Sequence, residues 1–263
     1  MEIKLNDEQL SAVKHRGSPL LIIAGAGTGK TAVITQRIID LLRSGEAKAS
    51  EILALTFTEK ASSEMIERVD QEMPIGYEEV DIMTFHSFCD SILRQDGLYI
   101  GLDIDFDLMS EAQSYIFFRR HLFEFPLDEL RPTGKPSANI TAILKHFSRL
   151  QDEDVFPEDY RSYASTLPET SEEEIAMKKQ ALELAGTYEA YTKLKISESN
   201  LDFGDLIMQT LRLLRERPNI LQKYHQKYKY ILVDEFQDTN YTQSVLVNLL
   251  ALGQTVEKSS LQE

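Results

Sequence analysis

The chain has one cysteine, no apolar run of membrane-spanning length, and far too few basic residues to balance its acidic ones. Each shortage excludes something. A lone Cys89 can close no internal disulfide and build no cysteine zinc site, and its apolar helical surroundings predict a buried packing role. A bilayer span needs roughly 20 apolar residues, and the opening Met-Glu-Ile-Lys lacks the charged-then-apolar order of a secretory signal. The expectation is a soluble, cytoplasmic globular protein with no membrane partner. Lys and Arg number 28 against 43 Asp and Glu, a net charge of −15. That balance argues against a protein that holds nucleic acid mainly by bulk attraction. The acidic excess is heaviest in residues 1–107 and nearly vanishes in 200–263, but no part shows a basic patch. Any nucleic-acid contact must therefore be local and use stacking. Acidic runs at Asp152–Asp154 and Glu172–Glu174 read as solvated faces.

What is present begins with 263 residues, 42% of them hydrophobic, enough for one large or two ordinary domains. Leu20 to Thr31, LLIIAGAGTGKT, reads as a strand feeding a phosphate-binding loop, a Walker A signature. Gly25, Gly27 and Gly29 allow left-handed turns and bring backbone N–H groups against phosphate oxygens, with Ala24, Ala26 and Thr28 completing the cradle. The helix that follows points its positive end at the same place. Lys30 would reach the β- and γ-phosphates, and the Thr31 hydroxyl would ligate Mg2+. Ala24 stands where the pattern has its first glycine.

Ahead of the loop, Asn6 and Gln9 are spaced as a capping box. The same Gln9 carboxamide could instead read the N6/N7 edge of adenine, and spacing alone favours the cap. After Thr31, Val33, Ile34, Ile38, Leu41 and Leu42 repeat at helical spacing, with Arg37 off the stripe. Ile52–Phe57 reads as a buried strand and Val80–Phe85 as a further strand, each followed by a helix. Strands alternating with helices predict an α/β fold with a doubly wound parallel sheet, whose ligands gather at the carboxyl ends of the strands. From about 108 to 199 the strands stop and prolines punctuate helical patterns, with capping boxes at Ser110–Gln113 and Ser171–Glu174. This predicts an inserted, mostly helical subdomain. The expected organisation is a first core part over 1–107, the insertion over 108–199, and a second core part over 200–263.

Tyr230–Glu235, YILVDE, is a buried strand ending in two carboxylates, a Walker B pattern. Asp234 at the tip can hold magnesium, and Glu235 can take a proton from an attacking water.

LNDEQ, AGAGTGKT, LALTFTEKAS, MTFHSF, LDFGDL and ILVDEFQDTN, in this order, resemble the successive motifs of UvrD/Rep-type superfamily 1 DNA helicases, over Leu5 to about Leu252. The resemblance implies a P-loop RecA-like parallel sheet with helices on both faces. It also implies ATP-driven 3′ to 5′ translocation on single-stranded DNA and unwinding at duplex junctions. By position it gives Gln9 to adenine, with Arg37 as a second contact near the base. Gly29, Lys30 and Thr31 would hold phosphate and metal, Asp234 and Glu235 metal and water, and Gln237 would couple the γ-phosphate to the DNA side. Thr56, Phe57, Thr58 and Lys60 resemble a strand-gripping motif with Phe57 as a stacking platform. Thr84, Phe85 and His86 resemble a second DNA contact, and Asp202 and Asp205 an acidic motif near the groove. For Phe57 and Phe85 the competing reading is core packing at strand ends. Glu59 departs from the family, which usually has Asn there; a carboxylate would repel phosphate. Helicases of this kind continue into a GDxxQ motif, arginine-bearing motifs and a second core, so the sequence is expected to be an N-terminal portion, with the remaining helicase as its partner.

Two alternatives are a stand-alone nucleotide- or DNA-binding module without motor activity, and an unrelated P-loop kinase or GTPase. The N-K-x-D segment of a GTPase is absent, and a small-molecule kinase has no use for TFTEKA or DEFQD.

Overall fold

Ile52-Leu53-Ala54-Leu55-Thr56 is buried at every position, the pattern of a strand covered on both faces. The fold around it is a computed structural model that describes residues 5–25, 27–131 and 136–253. In chain order its elements are α1 (Asp7–Lys14), α2 (Lys30–Arg43), β1 (Ile52–Thr56), α3 (Glu59–Glu72), β2 (Asp81–Thr84), α4 (Phe85–Asp96), β3 (Asp107–Met109), α5 (Glu111–Arg120), α6 (Pro136–Asp152), α7 (Pro157–Thr166), α8 (Glu172–Ser197), β4 (Asn200–Asp202), α9 (Phe203–Glu216), α10 (Pro218–Lys227), β5 (Tyr230–Val233) and α11 (Tyr241–Leu252). The described residues fall into two compact units. One holds residues up to Phe88, Pro218–Thr239 and those from Val247 on; the other holds Cys89–Arg217 and Asn240–Leu246.

In the first unit β1 is the middle strand of a parallel sheet of order β2-β1-β5. The register pairs Thr56 with Thr84 and Leu55 with Val233, so all three strands end at one edge. Ile52, Ala54, Ile82 and Leu232 pack with Ile38, Ile39 and Leu41 of α2 and Met65 and Val69 of α3. Alternation turns Leu53 and Leu55 to the opposite face, where both are also fully buried. This is the α/β fold with parallel strands that the alternating pattern predicts.

The strand expected at Leu20–Ile23 does not form. Residues 19–25 take no ladder position, and Leu21 and Ile23 are 71% and 91% exposed. A strand exists only where a neighbour accepts its hydrogen bonds, and among the described residues no strand does so here.

The second unit is mostly helical, as expected, around an aromatic core. Tyr191 of α8 lies within 5.4 to 6.1 Å of the rings of Phe117, Phe118, Phe125 and Phe147. Ser110 and Gln113 form their capping box. The Ser171 hydroxyl caps Glu174 N, while the Glu174 carboxylate accepts from Thr170 instead. The unit also holds two short strands at the borders of the expected helical stretch: β3 and β4 pair in parallel. Three-residue strands are too short to show a period. Cys89 is buried, and burial pushes its thiol up to about 12. Among the described residues no helix is long and apolar enough to cross a membrane.

Carboxylates at two places in this unit are engaged internally. Asp154 is fully buried at φ 57° and accepts two hydrogen bonds from Arg215, at 2.8 and 2.6 Å, while Asp152 and Glu153 of the same run are exposed as expected. Asp202 and Asp205, expected near a DNA groove, are structural. Each accepts from the other's backbone N–H at 2.9 Å to cap α9, and both carboxylates receive the fully buried ammonium of Lys195. Gln151 donates to both, and a Cβ on Gly204 would come 2.2 Å from its Oε1, which explains that glycine. Burial and the Asp202 charge raise Asp205 to about 6. Burial pulls Lys195 down, but the two carboxylates outweigh it and raise the ammonium.

Removing one member of such a cluster leaves charge buried without compensation. Lys195→Ala is expected to destabilise the protein by about 3 to 5 kcal/mol at neutral pH, read by urea denaturation. The loss should shrink as pH falls from 8 to 5, because Asp205, already raised to about 6 beside the cation, takes up a proton still more readily without it. An equal loss at pH 5 and pH 8 would contradict the assignment.

Candidate functional site

The loop before α2 turns by means of its glycines. Gly27 and Gly29 have φ of 73° and 91°, and a Cβ on Gly29 would also come 3.2 Å from Gln9 Nε2. Thr28 closes the turn, donating from N and Oγ1 to the Gly25 carbonyl. Gly29 caps α2 without a side-chain hydrogen bond, and the first turn carries no acidic residue. The opening N–H groups of α2 therefore form a positive terminus with no acidic residue of its own first turn to neutralise it. Ala26 lies outside the described residues.

Walker A and Walker B residues meet across the sheet edge. Thr31 Oγ1 donates to the Asp234 carboxylate at 3.1 Å, a contact spanning 203 positions of sequence. Lys30 Nζ lies 3.3 Å from the Glu235 carboxylate and 3.5 Å from the Ala24 carbonyl. Asp234 N donates to the Leu55 carbonyl at 2.9 Å, extending the β1–β5 ladder by one residue and fixing the carboxylate at the strand tip. Asp234 is 4% exposed, and burial raises its pKa, partly offset by the Thr31 hydroxyl. Glu235 behaves oppositely: hydrogen bonds from Gln237 and Lys30 hold it below the usual carboxylate range. Its backbone is left-handed, φ 50° and ψ 46°, a conformation that non-glycine residues adopt at a cost. Nothing in the sequence forecast that strain.

Gln9 resolves an apparent choice. Its Oε1 accepts from Asn6 N at 2.9 Å, completing the capping box of α1, while Nε2 donates to the Thr28 carbonyl at 3.0 Å. Those bonds use one lone pair and one proton, leaving capacity for one further acceptor and one further donor contact. The helix cap and a reader of an adenine edge are therefore compatible, and Gln9, Asn6, Ala24, Thr28 and Lys30 line one cleft. Arg37 is placed differently. Its Nη1 donates to the carbonyls of Ala12 and His15 at the end of α1, joining α1 to α2.

At the far ends of β1 and β2 the expected DNA residues divide. Phe57 is 53% exposed, whereas Phe85 is 2% exposed and takes the core-packing role. Thr56 is buried and donates to the Thr58 carbonyl; Thr58 caps α3 by accepting from Ala61 N. Lys60 is exposed, 3.8 Å from Glu64, and His86 is half-buried. Thr84 caps α4, accepting from Ser87 N at 3.2 Å, and its hydroxyl and that of Ser87 both donate to Glu59. Sequence reading overlooked Ser87, whose hydroxyl is tied to Glu59 from another helix, a contact no local pattern marks.

The model of the UvrD/REP helicase N-terminal domain matches residues 5–256. The chain belongs to this family. It is 36% identical over 247 residues to the ATP-dependent DNA helicase PcrA of Bacillus subtilis, covering 94% of this chain and 31% of that protein. It is 37% identical over 249 residues to the probable DNA helicase II homolog of Mycoplasma capricolum, covering 95% and 32%. PcrA of Staphylococcus aureus (strain Mu50) is 37% identical over 247 residues, 94% of this chain and 31% of that protein. The chain thus spans about a third of the length of these relatives. As a UvrD/REP-type domain it carries its Walker residues on the same strand edge from which Phe57 projects.

Left-handed strain at Glu235 is measurable. Glu235→Gly should raise stability by about 1 kcal/mol in urea denaturation, because glycine takes that conformation without a Cβ penalty. Glu235→Gln should leave it within about 0.5 kcal/mol. A destabilised glycine variant would show that the Lys30 contact outweighs the strain.

Proposed function

We propose that this chain is the ATP-binding and single-stranded-DNA-binding part of an ATP-dependent 3′ to 5′ DNA helicase, in which hydrolysis drives translocation and unwinding. The observation that carries the reading is the Thr31–Asp234 hydrogen bond, which places a hydroxyl and a carboxylate together beside a phosphate-type loop. These are hard oxygen donors of the kind magnesium takes. Bound there, Mg2+ would neutralise phosphate charge. The loop N–H groups and α2 would hold the phosphates, and Lys30 would exchange Glu235 for them. Glu235, kept ionised by Gln237 and Lys30, is suited to accept a proton from a water. Gln237, bonded to that carboxylate, would sense whether the phosphate is present. Gln9 has the spare donor and acceptor for an adenine edge.

On the DNA side, exposed Phe57 is the stacking platform, with Lys60 beside it. Base stacking contributes about 1 to 3 kcal/mol per base whatever the sequence, which suits an acidic protein. Relatives named helicases are about three times as long, and the arginines that neutralise a γ-phosphate would come from their remaining parts. Such groups contribute about 10³ to 10⁵ in rate.

Titration calorimetry should show weak Mg-ATP binding, weaker still for GTP, and a loss of roughly 10- to 100-fold in Lys30→Ala, as expected for a charge-assisted contact. Equal ATP and GTP affinities would count against Gln9. Phosphate release by the isolated chain should not respond to oligo-dT. A DNA-stimulated rate of several per second, abolished in Glu235→Gln, would show instead that the chain completes its own active site. ATP binding without any DNA binding would favour a nucleotide-binding module.

A further inference from the structure

Glu59 opens α3, and one oxygen of its carboxylate accepts from the Thr84 hydroxyl at 2.9 Å and the Ser87 hydroxyl at 2.8 Å. Those hydroxyls are themselves 2.9 Å apart. Each owns a single proton, and both protons have the same oxygen within reach. Thr84 and Ser87 flank the start of α4, and Glu59 lies in the first turn of α3. An anionic oxygen thus sits between two helix beginnings, where partial positive charge favours it, gripped by two hydroxyls. A phosphodiester oxygen uses the same donors: hydroxyl side chains and helix N-termini.

We propose that Glu59 is an internal phosphate surrogate. Its carboxylate occupies the Thr84–Ser87 hydroxyl pair, and a DNA phosphate must displace it to bind there. The inference rests on the DNA-binding reading of the β1 and β2 ends and deepens it by naming what opposes the strand. Two effects act in the same direction: the donors are already engaged, and a carboxylate beside a phosphate repels it. Glu59 is exposed at the surface, so its side chain can swing away while Thr58 goes on capping α3.

The alternative is a bridge that merely ties α3 to α4. Glu59→Gln separates the two, because the amide keeps an acceptor oxygen for the hydroxyls but loses the charge. Fluorescence anisotropy with fluorescein-labelled oligo-dT on the full chain should show Glu59→Gln binding about 5- to 10-fold more tightly than the unmodified protein, the size of one near-surface like-charge contact. Adding Ser87→Ala should remove part of that gain, since a phosphate displacing the substituted amide would find one hydroxyl donor instead of two. Thermal melts within a degree or two would show that the fold is unchanged. Phe57→Ala reports on the underlying reading. If it weakens binding while Glu59→Gln changes nothing, DNA binding stands and the surrogate role is overturned. If neither substitution alters oligo-dT binding, the DNA reading itself fails, and the surrogate with it.

Discussion

The hydrogen bond from Thr31 to Asp234 is the contact on which the site depends. Its partners come from opposite ends of the sequence, and neither position has meaning without the other. β1 makes the meeting possible. As the middle strand it hands its Leu55 carbonyl to Asp234 N, so the residue after β5 is held at the level where α2 begins. A one-residue slip of β5 would turn Asp234 to the other face of the sheet and leave Thr31 facing a valine.

Around that contact the backbone adopts conformations it would not choose freely. Gly27 and Gly29 do so cheaply, having no Cβ; Glu235 does so at a cost. The charges are opposed in character as well. Asp234 is buried and raised, while Glu235 is more exposed and held low by Gln237 and Lys30. Adjacent carboxylates with divergent environments can serve different purposes, one as a ligand and one as a base.

Charge placement also governs the rest of the molecule. A few carboxylates are engaged inside the molecule. Asp154 is spent on Arg215, and Asp202 and Asp205 on Lys195. Glu59 is spent on two hydroxyls. The ion pairs among these cancel cations against carboxylates and leave the net charge at −15, so an anionic ligand must be held by local contacts.

The sequence by itself determined the position of the glycine loop, the strands β1, β2 and β5, of which only β1 is buried throughout, and the family. Those signals are local: glycine spacing, continuous apolar runs, and motif order. It also marked the Asn6–Gln9 and Ser110–Gln113 caps, because a capping box is closed within three residues. What only the tertiary structure decided involves partners distant in sequence. Leu20–Ile23 has the composition of a strand, but a ladder requires a neighbour that composition cannot supply. Phe57 and Phe85 each follow a buried strand, and only packing exposes one and buries the other. Arg37 reads as a cleft residue until the carbonyls of α1 claim it. Asp202 and Asp205 resemble an acidic motif near a DNA groove, and only the fold shows the Lys195 ammonium between them. A side chain's chemistry is written locally, but the groups that engage it are brought by the rest of the chain.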